Sequence, residues 1–205
     1  MSAKALQTDM AVETPAVQFP FPTRFVWCLK ILLFKAATII FALFRRRHNP
    51  TPVSTKPTLV KRYLCRPMLN NRIFFPPQYQ PGNKPIPLYL DIHGGGFAVG
   101  SPRMDDEFCT SWARRTGMLV VSLDYRKAPR HPFPTATYDI AALINAVLGD
   151  EALPIDKVRV AIGGFSAGGN LALSVSQLQG IKDRITAAVV YYPVVDFGVP
   201  PQTRS

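Results

Sequence analysis

The sequence is short of several things. Only three of its 205 residues are cysteine (Cys28, Cys65 and Cys109), far apart and without a Cys-x-x-Cys pair. That spacing argues against a disulfide framework and against a cysteine-based zinc site. Histidine is as scarce: His48, His93 and His131 are the whole supply, and none follows residue 131. Acidic residues are missing from a long stretch, with none between Glu13 and Asp91. There is no internal repeat. No Gly-Lys-Ser/Thr follows a glycine-rich turn and no Gly-x-Gly-x-x-Gly opens a strand–helix unit, so the phosphate-loop and dinucleotide motifs do not apply. No metal and no cofactor is expected from the residues present.

What is there begins with charge. The formal net charge is +11, and all of it sits in residues 1–84, which hold 13 Lys/Arg against Asp9 and Glu13; residues 85–205 are neutral. A neutral body behind a cationic front points to a localised anionic partner, a membrane surface or nucleic acid. Residues 25–44, FVWCLKILLFKAATIIFALF, decide between them: twenty residues with only two charges, Lys30 and Lys35, followed by Arg45-Arg46-Arg47. The run is long enough to span a bilayer. Its apolar side chains contribute about −5 kcal/mol to insertion and its two lysines cost up to about +3 each, so the balance is near zero. On a helical projection Phe25, Val26, Leu29, Leu32, Leu33, Ala36, Ile39, Ile40, Leu43 and Phe44 share a wide face opposite Arg24, Lys30, Lys35 and Arg45, a layout suited to a helix lying in the membrane interface. A membrane surface contacted through residues 25–47 is therefore the expected partner. A helix packed on the protein's own body is the alternative. Nucleic acid is not expected, because the basic residues flank an apolar run with no aromatic–basic reading motif. If the helix spans, the arginine flank places the body on the cytosolic side.

The chain then divides into a tail (1–24), the apolar helix with its basic flank (25–47), a proline-rich linker (48–58) and an α/β body (59–205). Nine prolines between residues 48 and 87 rule out long helices there. Short strands are predicted near 59–65 and 72–75. Beyond residue 85, Ile86–Ile92, Leu119–Leu123, Val158–Ile162 and 187–192 read as buried strands. Helices are predicted from Ser101, an N-cap candidate followed by Pro102, to Gly117, over Thr137–Leu148 and over 167–179. Strands alternating with helices imply right-handed crossovers and a doubly wound, mostly parallel sheet, whose ligands bind at the carboxyl ends of the strands.

Two glycine-rich turns fall at those ends. In Gly164-Phe165-Ser166-Ala167-Gly168 a serine stands between a strand and a helix. Such a serine needs a strained corner to project its hydroxyl, with glycines on either side where a Cβ would collide with backbone. The helix starting at Ala167 presents free N–H groups and the positive end of its dipole to that hydroxyl. In His93-Gly94-Gly95-Gly96 a bare backbone offers further donors, so the N–H groups of Gly94, Gly95 and Ala167 together suit the oxyanion of a tetrahedral acyl intermediate.

These two turns, with Asp124-Tyr125-Arg126, Ala128-Pro129 and His131-Pro132-Phe133-Pro134 between them, resemble the hormone-sensitive-lipase-like branch of the α/β-hydrolases over roughly residues 60–197. The resemblance implies a carboxylic-ester hydrolase acting on a small apolar ester, with Ser166 as nucleophile, and gives His93, Asp124-Tyr125-Arg126 and His131 supporting roles. It also implies a triad in the chain order Ser, acid, His, and no His follows Ser166; only Asp183 and Asp196 follow among acids. The expectation is a chain that lacks its acid and base, a C-terminally incomplete hydrolase inactive on its own. The alternative is a catalytically inactive relative that binds an ester-like or small apolar ligand, as the gibberellin receptors that resemble this branch do.

Overall fold

The computed structural model describes residues 21–48, 55–82 and 84–196. The expected tail up to residue 20, most of the linker and the last nine residues lie outside the described residues.

The body is one six-stranded sheet in the order β1-β2-β4-β3-β5-β6. Its strands are β1 (Leu59–Tyr63), β2 (Arg66–Phe74), β3 (Ile86–Ile92), β4 (Leu119–Leu123), β5 (Ile155–Phe165) and β6 (Ala187–Tyr191). β1 and β2 form an antiparallel pair, and β2 runs antiparallel to β4. The β4-β3, β3-β5 and β5-β6 pairs are all parallel. The doubly wound, mostly parallel sheet of the sequence reading is the architecture found.

Alternation along the strands separates the two faces. Leu88, Leu90 and Ile92 of β3 and Leu119, Val121 and Leu123 of β4 pack into one core with helices α3 (Thr135–Leu148) and α4 (Ala167–Ser176). The intervening Tyr89 and Val120 face helix α2 (Asp106–Thr116), where they meet Cys109 and Ala113. Fully burying such a Leu or Ile contributes about 1.5–3 kcal/mol, and the larger core holds most of them.

Several boundaries differ from the sequence reading. The helix expected from Ser101 opens instead as a 3₁₀ turn (Pro102–Asp105). Ser101 is extended and makes no side-chain capping bond there; α2 itself starts after Asp105. Its other end agrees: Gly117 takes the left-handed conformation (φ 73°) and its N–H bonds Ala113 O. Strand β2 extends through Asn70-Asn71, a pair of poor strand formers. Asn71 is buried and uses its side chain as backbone, with Nδ2 donating to the carbonyls of Lys61 and Leu69 and Oδ1 accepting from the Asp124 N–H.

Before the sheet, Phe21–His48 form a 28-residue helix, α1. Among the described residues no helix is long and apolar enough to cross a membrane. The spanning arrangement is withdrawn, and with it the reason for placing the body in the cytosol. Lys30 and Lys35 set two ammonium groups inside the apolar run, where each opposes insertion.

Candidate active site

Ser166 sits between β5 and α4 at φ 53° and ψ −116°, a conformation that costs a non-glycine residue about 1–3 kcal/mol and persists only where surroundings enforce it. Its N–H bonds Tyr191 O on the neighbouring strand, and its own carbonyl accepts from Asn170 N. Asn170 in turn donates through Nδ2 to Val194 O at 2.7 Å, tying α4 to the segment after β6. The glycines beside the serine are required by close approach. A Cβ at Gly164 would lie 2.2 Å from Ile92 O, and one at Gly168 only 1.9 Å from it. The corner is therefore pressed against the end of β3, where the second turn begins.

That second turn lies alongside. A Cβ built on Gly94 would stand 3.6 Å from the Ser166 Cβ and 3.0 Å from Phe165 O. Among the described residues, the turn's backbone bonds run from the N–H groups of Ala98 and Val99 to Gly95 O, and none uses the N–H of Gly94 or Gly95. Ala167, fully buried, begins α4 with its N–H in the unpaired first turn. The structure thus brings Gly94 against Ser166 at the carboxyl ends of β3 and β5, with Gly95 and Ala167 their neighbours along the chain.

The turn is held from behind by β4's exit. His93 is buried, and its Nδ1 lies 2.6 Å from Gly94 O while Nε2 lies 3.3 Å from Asp124 Oδ1. The shorter contact assigns the ring proton to Nδ1. Burial lowers the His93 pKa, with Asp124 opposing, so the ring is neutral at pH 7. It stacks on Tyr125 with centroids 4.4 Å apart, and the Tyr125 hydroxyl donates to His93 O at 3.1 Å. Lys127 Nζ donates to Asp124 Oδ1 (2.5 Å) and to Tyr125 O (2.7 Å). Burial raises Asp124, yet the Lys127 ammonium bonded to its Oδ1 outweighs it and leaves the carboxyl below its ordinary value. Lys127 was not legible in the sequence, since a lone lysine after a strand has no distinguishing spacing.

The remaining histidines stand elsewhere. His131 donates its backbone N–H to Lys127 O, and the His48 ring contacts Phe44 at the end of α1. Among the described residues, no side chain hydrogen-bonds the Ser166 hydroxyl. Asp183 lies in the 3₁₀ turn Lys182–Arg184, and Asp196 is exposed beyond β6.

The profile of the alpha/beta hydrolase fold family matches residues 89–205. Neutral cholesterol ester hydrolase 1 of Rattus norvegicus is 33% identical over 126 residues, covering 56% of this chain and 31% of the relative. Ethyl acetate hydrolase of Pseudomonas putida is 38% identical over 129 residues, covering 61% of this chain and 40% of the relative. The crystal structure of EstE1, a thermostable carboxylesterase cloned from a metagenomic library, superposes with a TM-score of 0.62 at 36% identity, covering 69% of this chain and 48% of that one. The chain spans less than half the length of each of these relatives.

Proposed function

This chain belongs to the alpha/beta hydrolase fold family, and from that premise we propose that its chemistry is hydrolysis of carboxylic esters, with Ser166 as acyl nucleophile. The observation that carries the reading is the approach of Gly94 to Ser166, 3.6 Å measured to the position a Cβ would take. In this reading Ser166 Oγ attacks the carbonyl carbon of a small apolar ester. The carbonyl oxygen gains negative charge and is received by the N–H groups of Gly94, Gly95 and Ala167; the carbonyl then re-forms, the bond to the alkoxy group breaks, and the Ser166 proton passes through solvent to the departing alcohol. Removing one such donor costs about 3–4 kcal/mol in enzymes where it has been measured. His93, Gly96, Gly164 and Gly168 shape the two corners rather than react. The relatives' names, an ester hydrolase and a carboxylesterase among them, support the same class of substrate.

The full mechanism needs a base for the Ser166 proton and a group to orient that base. No His follows Ser166 in this chain; of those upstream, the His93 ring holds Gly94 O, the His48 ring contacts Phe44, and His131 is bonded through its backbone to Lys127 O. The 205-residue chain is accordingly expected to acylate only slowly, with p-nitrophenolate as leaving group and solvent taking the Ser166 proton, and not to turn over. Incubated with p-nitrophenyl acetate, the chain should gain one acetyl group, mapped by mass spectrometry to Ser166 and absent in Ser166→Ala. Acetylation elsewhere, unaffected by Ser166→Ala, would refute the nucleophile. The absence of a side-chain partner for the Ser166 hydroxyl among the described residues favours a second reading, a binding module that holds an ester-like ligand without turnover. Saturable ligand binding with no acylation of Ser166 would select it.

The same proposal includes peripheral contact with an anionic lipid surface through residues 25–47. Helix α1 exposes Phe25, Trp27, Leu33, Phe34, Ile40, Phe41 and Phe44 and carries basic residues without a single acid. Each basic residue near such a surface contributes about 1 kcal/mol. The full chain should co-sediment with phosphatidylserine-containing vesicles, less so as salt is raised, and not with purely zwitterionic ones. Equal sedimentation with both, or with neither, would remove lipid from the list of partners.

A further inference from the structure

Beneath the glycine turn lies a group of acids that the reaction above does not use. Asp91 is the penultimate residue of β3 and fully buried. Its Oδ2 accepts from the Ser122 hydroxyl at 2.6 Å and from the Cys109 thiol at 3.4 Å. Ser122 is its register partner on β4. Its Oδ1 is buried without a hydrogen-bond donor, and so is Oδ2 of Asp105. Yet the two carboxyls are themselves within hydrogen-bonding contact. Two carboxylates cannot bond one another, because both are acceptors only. One proton placed between them satisfies both orphaned oxygens at once.

The positions of the two acids give that proton a structural consequence. Asp91 ends the strand that leads into the turn, and Asp105 ends the 3₁₀ turn that leads out of it. Everything between them, residues 92–104, is the loop that carries His93 to Gly96. The loop's far side packs onto its own start: a Cβ at Gly100 would lie 2.7 Å from Met104 Sδ and 2.9 Å from Gly94 O. A bond between the two carboxyls therefore closes this loop at its base.

We propose that Asp91 and Asp105 share one proton, and that this proton is the clasp holding the glycine loop in place. No surrounding donor is bonded to either orphaned oxygen, Asp91 Oδ1 or Asp105 Oδ2. From β2, Arg72 is committed to Asp106 by two bonds of 2.6 Å. From β3 comes the Tyr89 hydroxyl, from β4 the Ser122 hydroxyl, and from α2 the Cys109 thiol and the Asp106 carboxylate; none brings a positive charge to the pair. Tyr125 adds a neutral phenol on the side of Asp105. Burial, then the neighbouring Asp91 and Asp106, raises Asp105 well above its ordinary value, and burial also raises Asp91. The clasp is closed at neutral pH, and loss of the proton in alkali leaves two like charges facing each other. Its value to catalysis rests on the ester-hydrolase reading; its existence does not, and neither readout below needs turnover.

The full chain at pH 7 should show the infrared carbonyl stretch of a protonated carboxyl, and Asp105→Asn and Asp91→Asn should each remove it. Hydrogen exchange at Gly94–Gly96, corrected for intrinsic rate, should lose protection on going from neutral to alkaline pH, by up to tenfold per pH unit once the shared proton titrates. In Asp105→Asn, whose amide donates the bond without titrating, protection should be flat across that range. Absence of the stretch in the wild-type chain, or protection that falls equally in Asp105→Asn, would overturn the proposal. Should neither asparagine variant fold, the wild-type chain decides alone: stretch and alkaline loss of protection must both appear, and either one missing refutes the clasp.

Discussion

Gly168→Ala is expected to be the most damaging single-methyl change in the molecule. The added Cβ would sit 1.9 Å from Ile92 O, 2.6 Å from Ile92 C and 2.7 Å from His93 O. All three are backbone atoms, so no side chain can swing aside. Relief requires α4 to back away from the end of β3, which separates Ser166 from the turn at Gly94. A loss of about 3 kcal/mol or more is expected, at the upper end of overpacking costs, read as a lowered denaturation midpoint at unchanged m value. Gly180→Ala is the control. It has a positive φ of 78° but open space around its Cβ position, so it should lose only the left-handed backbone penalty, about 1–2 kcal/mol. If the two variants are equally stable, the close seating of the serine corner on β3 is wrong.

Asp139→Asn is expected to follow closely. Asp139 on α3 is fully buried and receives Arg126 Nη2 at 2.7 Å, the Arg126 backbone N–H at 3.0 Å, and the Arg66 guanidinium. It thereby joins the β1–β2 hairpin, the segment after β4 and α3. Removing one partner of a buried pair costs about 3–5 kcal/mol; here the lower end applies, because both arginines keep some access to water. The pH dependence has a definite sign. Burial raises the Asp139 carboxyl, but the bonds from Arg126 and Arg66 outweigh it and hold it below its ordinary value. A depressed carboxylate stabilises the fold above the unfolded value, about 3.9, and that contribution fades as pH falls through the folded one. Wild type should therefore lose stability below about pH 4 more steeply than Asp139→Asn, and parallel acid limbs in thermal melts would contradict the pairing.

The parts of this fold that were legible in the sequence are those set by local chemistry. Ile86–Ile92 and Leu119–Leu123 announce themselves as buried strands because their neighbours on both faces are helices, so nearly every residue is apolar. Gly117 marks the end of α2 because only glycine takes that backbone angle cheaply. The serine corner and the glycine turn were legible because close approach of backbones leaves a glycine signature. What was not legible depends on contacts between distant segments. Asn70-Asn71 reads as a loop, and becomes strand only because Lys61 and Asp124 supply Asn71 with partners. Ser101 fits an N-cap by composition, but the chain there is extended and the hydroxyl makes no capping bond. Asp91 was a visible oddity, one acid in an apolar strand, yet its neighbour Asp105 lies across a loop whose path the sequence does not give.

One detail of the site reaches beyond the glycines themselves. Because a peptide unit is flat, whatever grips a carbonyl also aims the amide on its other side. The Tyr125 hydroxyl grips His93 O, and so sets the direction of the Gly94 N–H; the His93 ring grips Gly94 O, and so sets that of Gly95. The two amides proposed as oxyanion donors are thus steered by the Tyr125 and His93 side chains. Substitutions at the exit of β4 can retune the direction of those amides one small rotation at a time, leaving the glycine sequence itself unaltered.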